Sequence, residues 1–253
     1  MKKYIPNIDI SYTFPFFLVL IMVSGRYKLY FIFFLLCFIH EIGHVLMGYI
    51  LKCSCSCIKI LPFGVNATIV GKEKLKSYQE CLIYIAGPCM YFVNGVLIEF
   101  LYSISFLSYI GFVRANESNL LILIFNLLPI LPLDGGNILR CIFDKFFRLK
   151  VSKGLCLSIS SFMLVLLIVA TSSSPQYIIY TFLIFEQVQF FLTSNNEYIK
   201  IVINRKSKKY KKKVHSKKDL YRDVYNYYLS NDQIYNEEVL CEMLIAESIK
   251  NNN

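Results

Sequence analysis

Residues 33–51 read FFLLCFIHEIGHVLMGYIL, and three ionisable side chains, His40, Glu41 and His44, sit inside this otherwise apolar stretch. In hydrocarbon each such group costs about 3 kcal/mol or more unless it has a partner. The full run from Leu29 to Leu51 has about 23 residues, and at ~1.5 Å per residue it crosses the ~30 Å apolar layer as a tilted helix. On that helix His40 and His44 lie one turn apart on one face, with Glu41 beside the first. The spacing is H-E-x-x-H, in which two neutral imidazoles ligate zinc and the adjacent carboxylate takes a proton from water at the metal. A metal accounts for such a cluster at that depth. The stretch points to a metal-dependent hydrolase working inside a membrane.

The rest of the chain agrees with a membrane setting. Of its 253 residues 56% are hydrophobic and 17% charged, which excludes an ordinary soluble domain. Long apolar stretches recur to about residue 193, whereas residues 197–253 hold 12 of the 27 Lys and Arg and 8 of the 17 acids. The expected organisation is a transmembrane catalytic domain over 1–196 and a basic cytoplasmic tail over 197–253. A net charge of +10 suits an anionic membrane surface, and direct nucleic-acid binding is not expected. The nine cysteines, mostly in apolar runs, make no disulfide framework. Cys53, Cys55 and Cys57 read either as a second metal site or as small polarisable residues at a helix exit, and no site is assigned to them.

Six spans are expected, at about 8–25, 29–51, 81–107, 118–147, 155–171 and 177–193. The first also resembles a secretory signal, although Asp9 interrupts it and Arg26 and Lys28 follow at once. Basic residues concentrate in alternate loops, with five Lys between spans two and three. Both termini are therefore expected in the cytoplasm. The fold class is an all-α polytopic membrane protein of about six transmembrane helices, with a short β-like membrane-dipping segment at LPFGVNATIV (61–70) and a small helical tail.

Span four is irregular: NLLPILPLDGG (126–136) carries two prolines and a Gly pair, so its helix is expected to break. Broken backbone at membrane depth survives only where protein or a wet cavity surrounds it. Counted from the outer ends of their spans, His44 and Asp134 both lie roughly 22 Å in. Asp134 is the natural third ligand, leaving a fourth position for water.

HEIGH on the second span together with NLLPILPLDGG on the fourth resembles the site-2 protease family of intramembrane zinc metalloproteases. KILPFGVNATIV (59–70), IAGP (85–88, resembling a turn of that group) and FEQ (185–187) are similar to its bacterial sporulation subfamily, over about residues 10–225. The resemblance implies Zn2+ held by His40, His44 and Asp134, with Glu41 activating water. It implies a membrane-associated substrate, the pro-segment of a sporulation sigma-factor precursor, in the mother-cell membrane around the forespore. Inhibitory membrane proteins are implied as partners. The subfamily carries a regulatory CBS domain that the 57 residues after 196 are too few to complete. Many members of the wider family carry an Asn three residues beyond the Gly-Pro of span three; that place is Tyr91 here, with Asn94 a turn further on, and no role is carried onto it.

Secondary candidates remain open. Asn126 reads as an oxyanion or substrate donor, or equally as a buried Asn joining two helices. Glu99 and Glu186 are further intramembrane carboxylates. LPFGVNATIV could pair in β fashion with an extended substrate. Arg205 to Lys218 holds nine Lys or Arg in fourteen residues and suits anionic lipid. Apolar spacing over 219–249 suggests two short amphipathic helices, a docking element or homo-oligomer contact. Since every proposed ligand precedes the tail, its removal is expected to spare the metal. The rival of a different class is a six-span metal transporter using the same ligands, although no internal repeat of the transporter kind is present.

Overall fold

The computed structural model describes residues 7–23, 25, 27–61, 64–170, 177–205, 213–215, 220–230 and 233–251. In order these form β1 (Asn7–Ile10), α1 (Thr13–Val23), α2 (Tyr27–Ile50), β2 (Ser54–Leu61), β3 (Gly64–Val70), α3 (Ser77–Ser103) and α4 (Tyr109–Leu127). There follow α5 (Asp134–Phe146), α6 (Leu149–Ala170), α7 (Tyr177–Arg205), β4 (Lys213–His215), β5 (Tyr225–Ser230), β6 (Gln233–Tyr235) and α8 (Glu237–Asn251). Two compact units emerge, Met1–Lys72 with Leu82–Leu128, and Glu73–Cys81 with Pro129–Asn253.

Among the described residues, α2, α3 and α6 are long and apolar enough to cross a membrane. Their apolar windows have mean hydropathies of 1.9, 1.8 and 2.0, yet only 28, 33 and 22% of those residues are buried in protein. Phe31, Leu46, Phe92, Val96, Phe162 and Val169 stand exposed on them. Faces of that kind suit lipid rather than water. α4 has 19 residues but carries Arg114, Asn116, Glu117 and Asn119 through its middle.

The first expected span is corrected. Residues 7–10 are a strand, and α1 has 11 residues, about 16 Å, half the apolar layer. The sequence Asn-Ile-Asp-Ile alternates with period two, and β1 pairs in parallel with β2 from Asn7↔Cys57 to Ile10↔Ile60. The chain is mostly helical, as expected, but its β content exceeds the single short segment expected: among the described residues the strands form two three-stranded sheets.

In the first unit, α2 buries Ile32, Leu36, His40, Gly43, His44 and Gly48, one stripe at spacings of three and four. Ile32 and Leu36 pack against Ile98 of α3 and against Ala115 and Ile122 of α4. Two buried asparagines join the same helices. Asn94 Nδ2 donates to Leu36 O at 3.3 Å and to Asn119 Oδ1 at 3.2 Å, and Asn119 Nδ2 donates to Tyr91 O at 3.0 Å. Such bonds between membrane helices contribute about 0.6 kcal/mol each.

β2 and β3 make an antiparallel hairpin from Ser54↔Val70 to Leu61↔Gly64, with an irregularity between Cys55 and Cys57. Within CSCSC, Cys53 lies at the exit of α2, its amide donating to Gly48 O at 2.9 Å, while residues 54–57 belong to β2, where burial pushes the Cys55 thiol above its ordinary range. β-Branched partners opposite, Thr68, Ile69 and Val70, favour the pleated backbone.

The second unit absorbs the tail. α7 runs through residue 196 to Arg205, so the polarity change there does not end a structural element. Leu220, Leu240, Cys241 and Leu244 pack with Leu149 and Val202 in one apolar cluster. Of the two tail helices expected over 219–249, α8 is the one present among the described residues; β5 stands in the first part, its YNYYLS sequence having aromatic strand character. β5 pairs antiparallel with β6 from Tyr228↔Tyr235 to Ser230↔Gln233. Most of the basic run 205–218 lies outside the described residues.

Arg222 of the tail is buried among charged partners. Its Nη1 lies 2.9 Å from Asp144 Oδ2, its Nη2 pairs with Glu80, and Arg140 Nη2 meets the other Glu80 oxygen at 3.0 Å. Ser152 Oγ donates to Asp144 Oδ1 at 2.6 Å. The Ser77 amide, at the start of α3, donates to the Asp223 carboxylate at 3.2 and 3.3 Å. Burial works against the charge on Arg222, and Glu80 and Asp144 more than offset it, holding the guanidinium above its ordinary range. Removing one partner of a buried pair costs about 3–5 kcal/mol. Arg222→Met should therefore lower the thermal unfolding temperature of the detergent-solubilised chain markedly, and truncation after residue 196 should do worse. An unchanged melting curve for Arg222→Met would show the cluster to be energetically idle. The tail is a working part of the fold.

Candidate metal centre

His40, Glu41 and His44 offer ligand atoms that all lie within 4.8 Å of one another, the two imidazoles buried and the carboxylate half-buried. The helical period alone would allow this, and two further contacts make it specific. His44 Nδ1 lies 2.7 Å from Ile83 O. A carbonyl can only accept, so Nδ1 carries the proton and Nε2 keeps its lone pair. That Nε2 faces His40 Nε2 at 3.2 Å, with the rings inclined at 77°. Two nitrogens at ~2.0–2.1 Å from one tetrahedral ion stand ~3.3 Å apart. The pair fits zinc with almost no adjustment.

Glu41 is held from the sheet. Its Oε2 accepts the amide of Ala67, in β3, at 3.1 Å. The β2–β3 hairpin thus does more than pass the site; it fixes the carboxylate beside the imidazoles. Helix α3 closes the other side with bare backbone. A Cβ built on Gly87 would lie 2.2 Å from His44 Nε2 and 2.7 Å from His40 Nε2. One on Gly43 would meet Ala86 O at 2.6 Å, so α2 and α3 touch through small residues. The IAGP segment, expected as a turn, lies inside α3, which tolerates Pro88 at the cost of one amide donor. Glycine matters here for closeness rather than for turning.

Asp134 belongs to the second unit and is the first residue of α5. α4 stops at Leu127 because Leu128 precedes Pro129 and takes extended backbone, ψ 136°. The break expected in span four is present over residues 128–133, and Asp134 stands at the positive end of the helix that resumes after it. Asn126 Nδ2 donates to Ile122 O at 3.0 Å, within its own helix. Glu99 is exposed and Glu186 half-buried.

Three features escaped the sequence: the Ile83 carbonyl that sets the His44 tautomer, the Ala67 amide on Glu41, and the steric need for glycine at 87. Only the last left a trace there, as the small-residue pair Ala86-Gly87.

Known proteins bear on the site directly. Residues 101–170 match the profile of Peptidase family M50, a stretch that contains Asp134. The chain is 31% identical over 143 residues to stage IV sporulation protein FB of Bacillus subtilis, covering 53% of this chain and 49% of that protein. It is 30% identical over 148 residues to a zinc metalloprotease of Methanocaldococcus jannaschii, covering 54% and 43%. The chain thus spans about half the length of the curated relatives it matches. The solved site-2 protease from Methanocaldococcus jannaschii superposes with a TM-score of 0.55 at 26% identity, over 72% of this chain and 89% of that one.

Proposed function

We propose, taking the chain's kinship with the site-2 proteases of peptidase family M50 as the premise, that it is an intramembrane zinc metalloendopeptidase. Its substrate is a membrane-associated protein cut near the cytoplasmic face. The observation that carries this reading is the pair of imidazole Nε2 atoms 3.2 Å apart, with a tethered carboxylate beside them, on a membrane-length helix. His40, His44 and Asp134 are the residues that would hold zinc, which supplies Lewis acidity to the scissile carbonyl and acidifies water. Glu41 takes the proton of the attacking water and returns it to the leaving amine. β3, the outer strand of its sheet among the described residues, lies beside Glu41 through its Ala67 amide and would offer main-chain hydrogen bonds to an unwound substrate strand. Asn126 remains a candidate donor to the developing oxyanion.

The finer reading follows the sporulation relative: a sigma-factor precursor as substrate, both termini cytoplasmic, a mother-cell membrane location, inhibitory membrane proteins, and anionic lipid at the basic run. Co-expression with candidate sigma-factor precursors, followed by their size on gels, tests the substrate. Loss of a short N-terminal segment from one precursor, abolished by a metal chelator, is the expected result. Metal flux without any cleavage would favour the transporter instead.

Asp134→Asn is expected to lower zinc affinity and activity together, measured as metal content after dialysis and as precursor processing. Full metal content in that variant would place the third ligand elsewhere.

A further inference from the structure

We propose that Ser160 and Gln187 are positioning residues for Asp134, holding the broken backbone that carries it. The inference rests on Asp134 being a metal ligand. The break over residues 128–133 contains Pro129 and Pro132, and a helix interrupted at membrane depth must find new partners for the backbone groups it frees. The partners come from α5 and α6, and α7 braces one of them. The Leu131 amide donates to Ser160 Oγ of α6 at 2.8 Å. Asn137 Nδ2 of α5 donates to Pro132 O at 2.6 Å and to Leu133 O at 3.1 Å. Gln187 Nε2 of α7 donates to Ser160 Oγ and to Ser161 Oγ, each at 3.0 Å.

Ser160 is the junction. It is fully buried, as are Ile130 and Leu131. A serine hydroxyl has two lone pairs, and here they receive the Leu131 amide and the Gln187 amide. The Gln187 contact therefore fixes the orientation of the hydroxyl, and the hydroxyl fixes residue 131. Two residues separate Leu131 from Asp134, one of them a proline with fixed φ, so a shift at 131 reaches the carboxylate almost undiminished. Gly136 seals the arrangement, since a Cβ there would lie 2.6 Å from the Ile130 carbonyl. FEQ (185–187) thereby acquires a purpose that its position in the chain does not suggest.

Groups that orient a metal ligand through one intermediary are worth about 10–100-fold in metal affinity. The test uses the full-length chain in detergent. Zinc affinity is measured by competition with a chromophoric chelator, and the visible spectrum of the cobalt-substituted protein is recorded alongside. Ser160→Ala and Gln187→Leu should each weaken zinc by about 10–100-fold and shift the cobalt bands. Ser160→Thr, which keeps the hydroxyl, should restore most of the affinity. Ser158→Ala, on the same helix where the hydroxyl is exposed and bonds only its own backbone, should match the unaltered chain. Should Ser160→Ala not accumulate, Gln187→Leu carries the same comparison. Unaltered affinity and spectrum in both variants, beside a clear loss in Asp134→Asn, would overturn the positioning role and leave the ligand assignment standing. Unaltered zinc affinity in Asp134→Asn would overturn both.

Discussion

Glu41→Gln is expected to lower cleavage of a membrane-tethered substrate by about 10²–10⁴-fold while every chain keeps its zinc. The carboxylate is the one group in the His–Glu–His cluster that can accept a proton without surrendering the metal. Gln is nearly isosteric, and its amide oxygen can still accept the Ala67 N–H that now reaches Glu41 Oε2 at 3.1 Å. The side chain should therefore stay where it is, the hairpin should stay docked, and the imidazoles should not move. What disappears is basicity alone. The measurement is single-turnover processing in one membrane preparation, with zinc per chain determined on the same sample. Substantial turnover by zinc-loaded Glu41→Gln would remove Glu41 from the role of base. Loss of zinc from that variant would instead make the carboxylate a structural member of the centre. A transporter would behave differently again, because its metal flux has no need of a general base.

The centre was legible because its signal is local. His40, Glu41 and His44 fall within five residues, and the helical period alone brings them together. The break at NLLPILPLDGG was legible for the same reason, since proline acts on its own neighbours. Longer-range facts were not. Arg222 meets Glu80 and Asp144 across separations of 142 and 78 residues, and no spacing rule connects them. Seen as sequence, Arg222 was one more basic residue in a basic tail. Two misreadings came from counting apolar residues without asking which period they obeyed. Residues 8–25 merged a strand and an 11-residue helix into one span. Leu220, Val224, Tyr227 and Tyr228 fitted a helical spacing, while the sheet instead takes Tyr225–Ser230 as a strand paired with β4 and β6. Short apolar runs leave that choice to tertiary partners.

Gly87→Ala should abolish zinc binding outright, a larger effect than any change of a residue that merely supports a ligand. The added methyl carbon would stand 2.2 Å from His44 Nε2, 2.3 Å from His44 Cε1 and 2.7 Å from His40 Nε2. No real Cβ sits that close to a ring, so either the imidazoles rotate away or α3 retreats from α2. Retreat is resisted at Gly43, where the two helices already touch through Ala86 O, and by the His44 Nδ1 bond to Ile83 O on α3 itself. The rings are the softer element, and their rotation would separate the two Nε2 atoms that now face each other at 3.2 Å. The methyl would also occupy part of the space a tetrahedral ion needs. Gly95→Ala makes the control: it lies on the same helix, and a Cβ there meets nothing within 4 Å. Replacing glycine by alanine inside a helix should stabilise that variant by about 0.5–1 kcal/mol. Zinc per chain, activity and melting temperature measured on both variants separate steric exclusion from a general helix effect. A Gly87→Ala chain that binds zinc normally would mean that α3 does not press its bare backbone on the histidines, and with it the account of why this site is built from a glycine helix would fall.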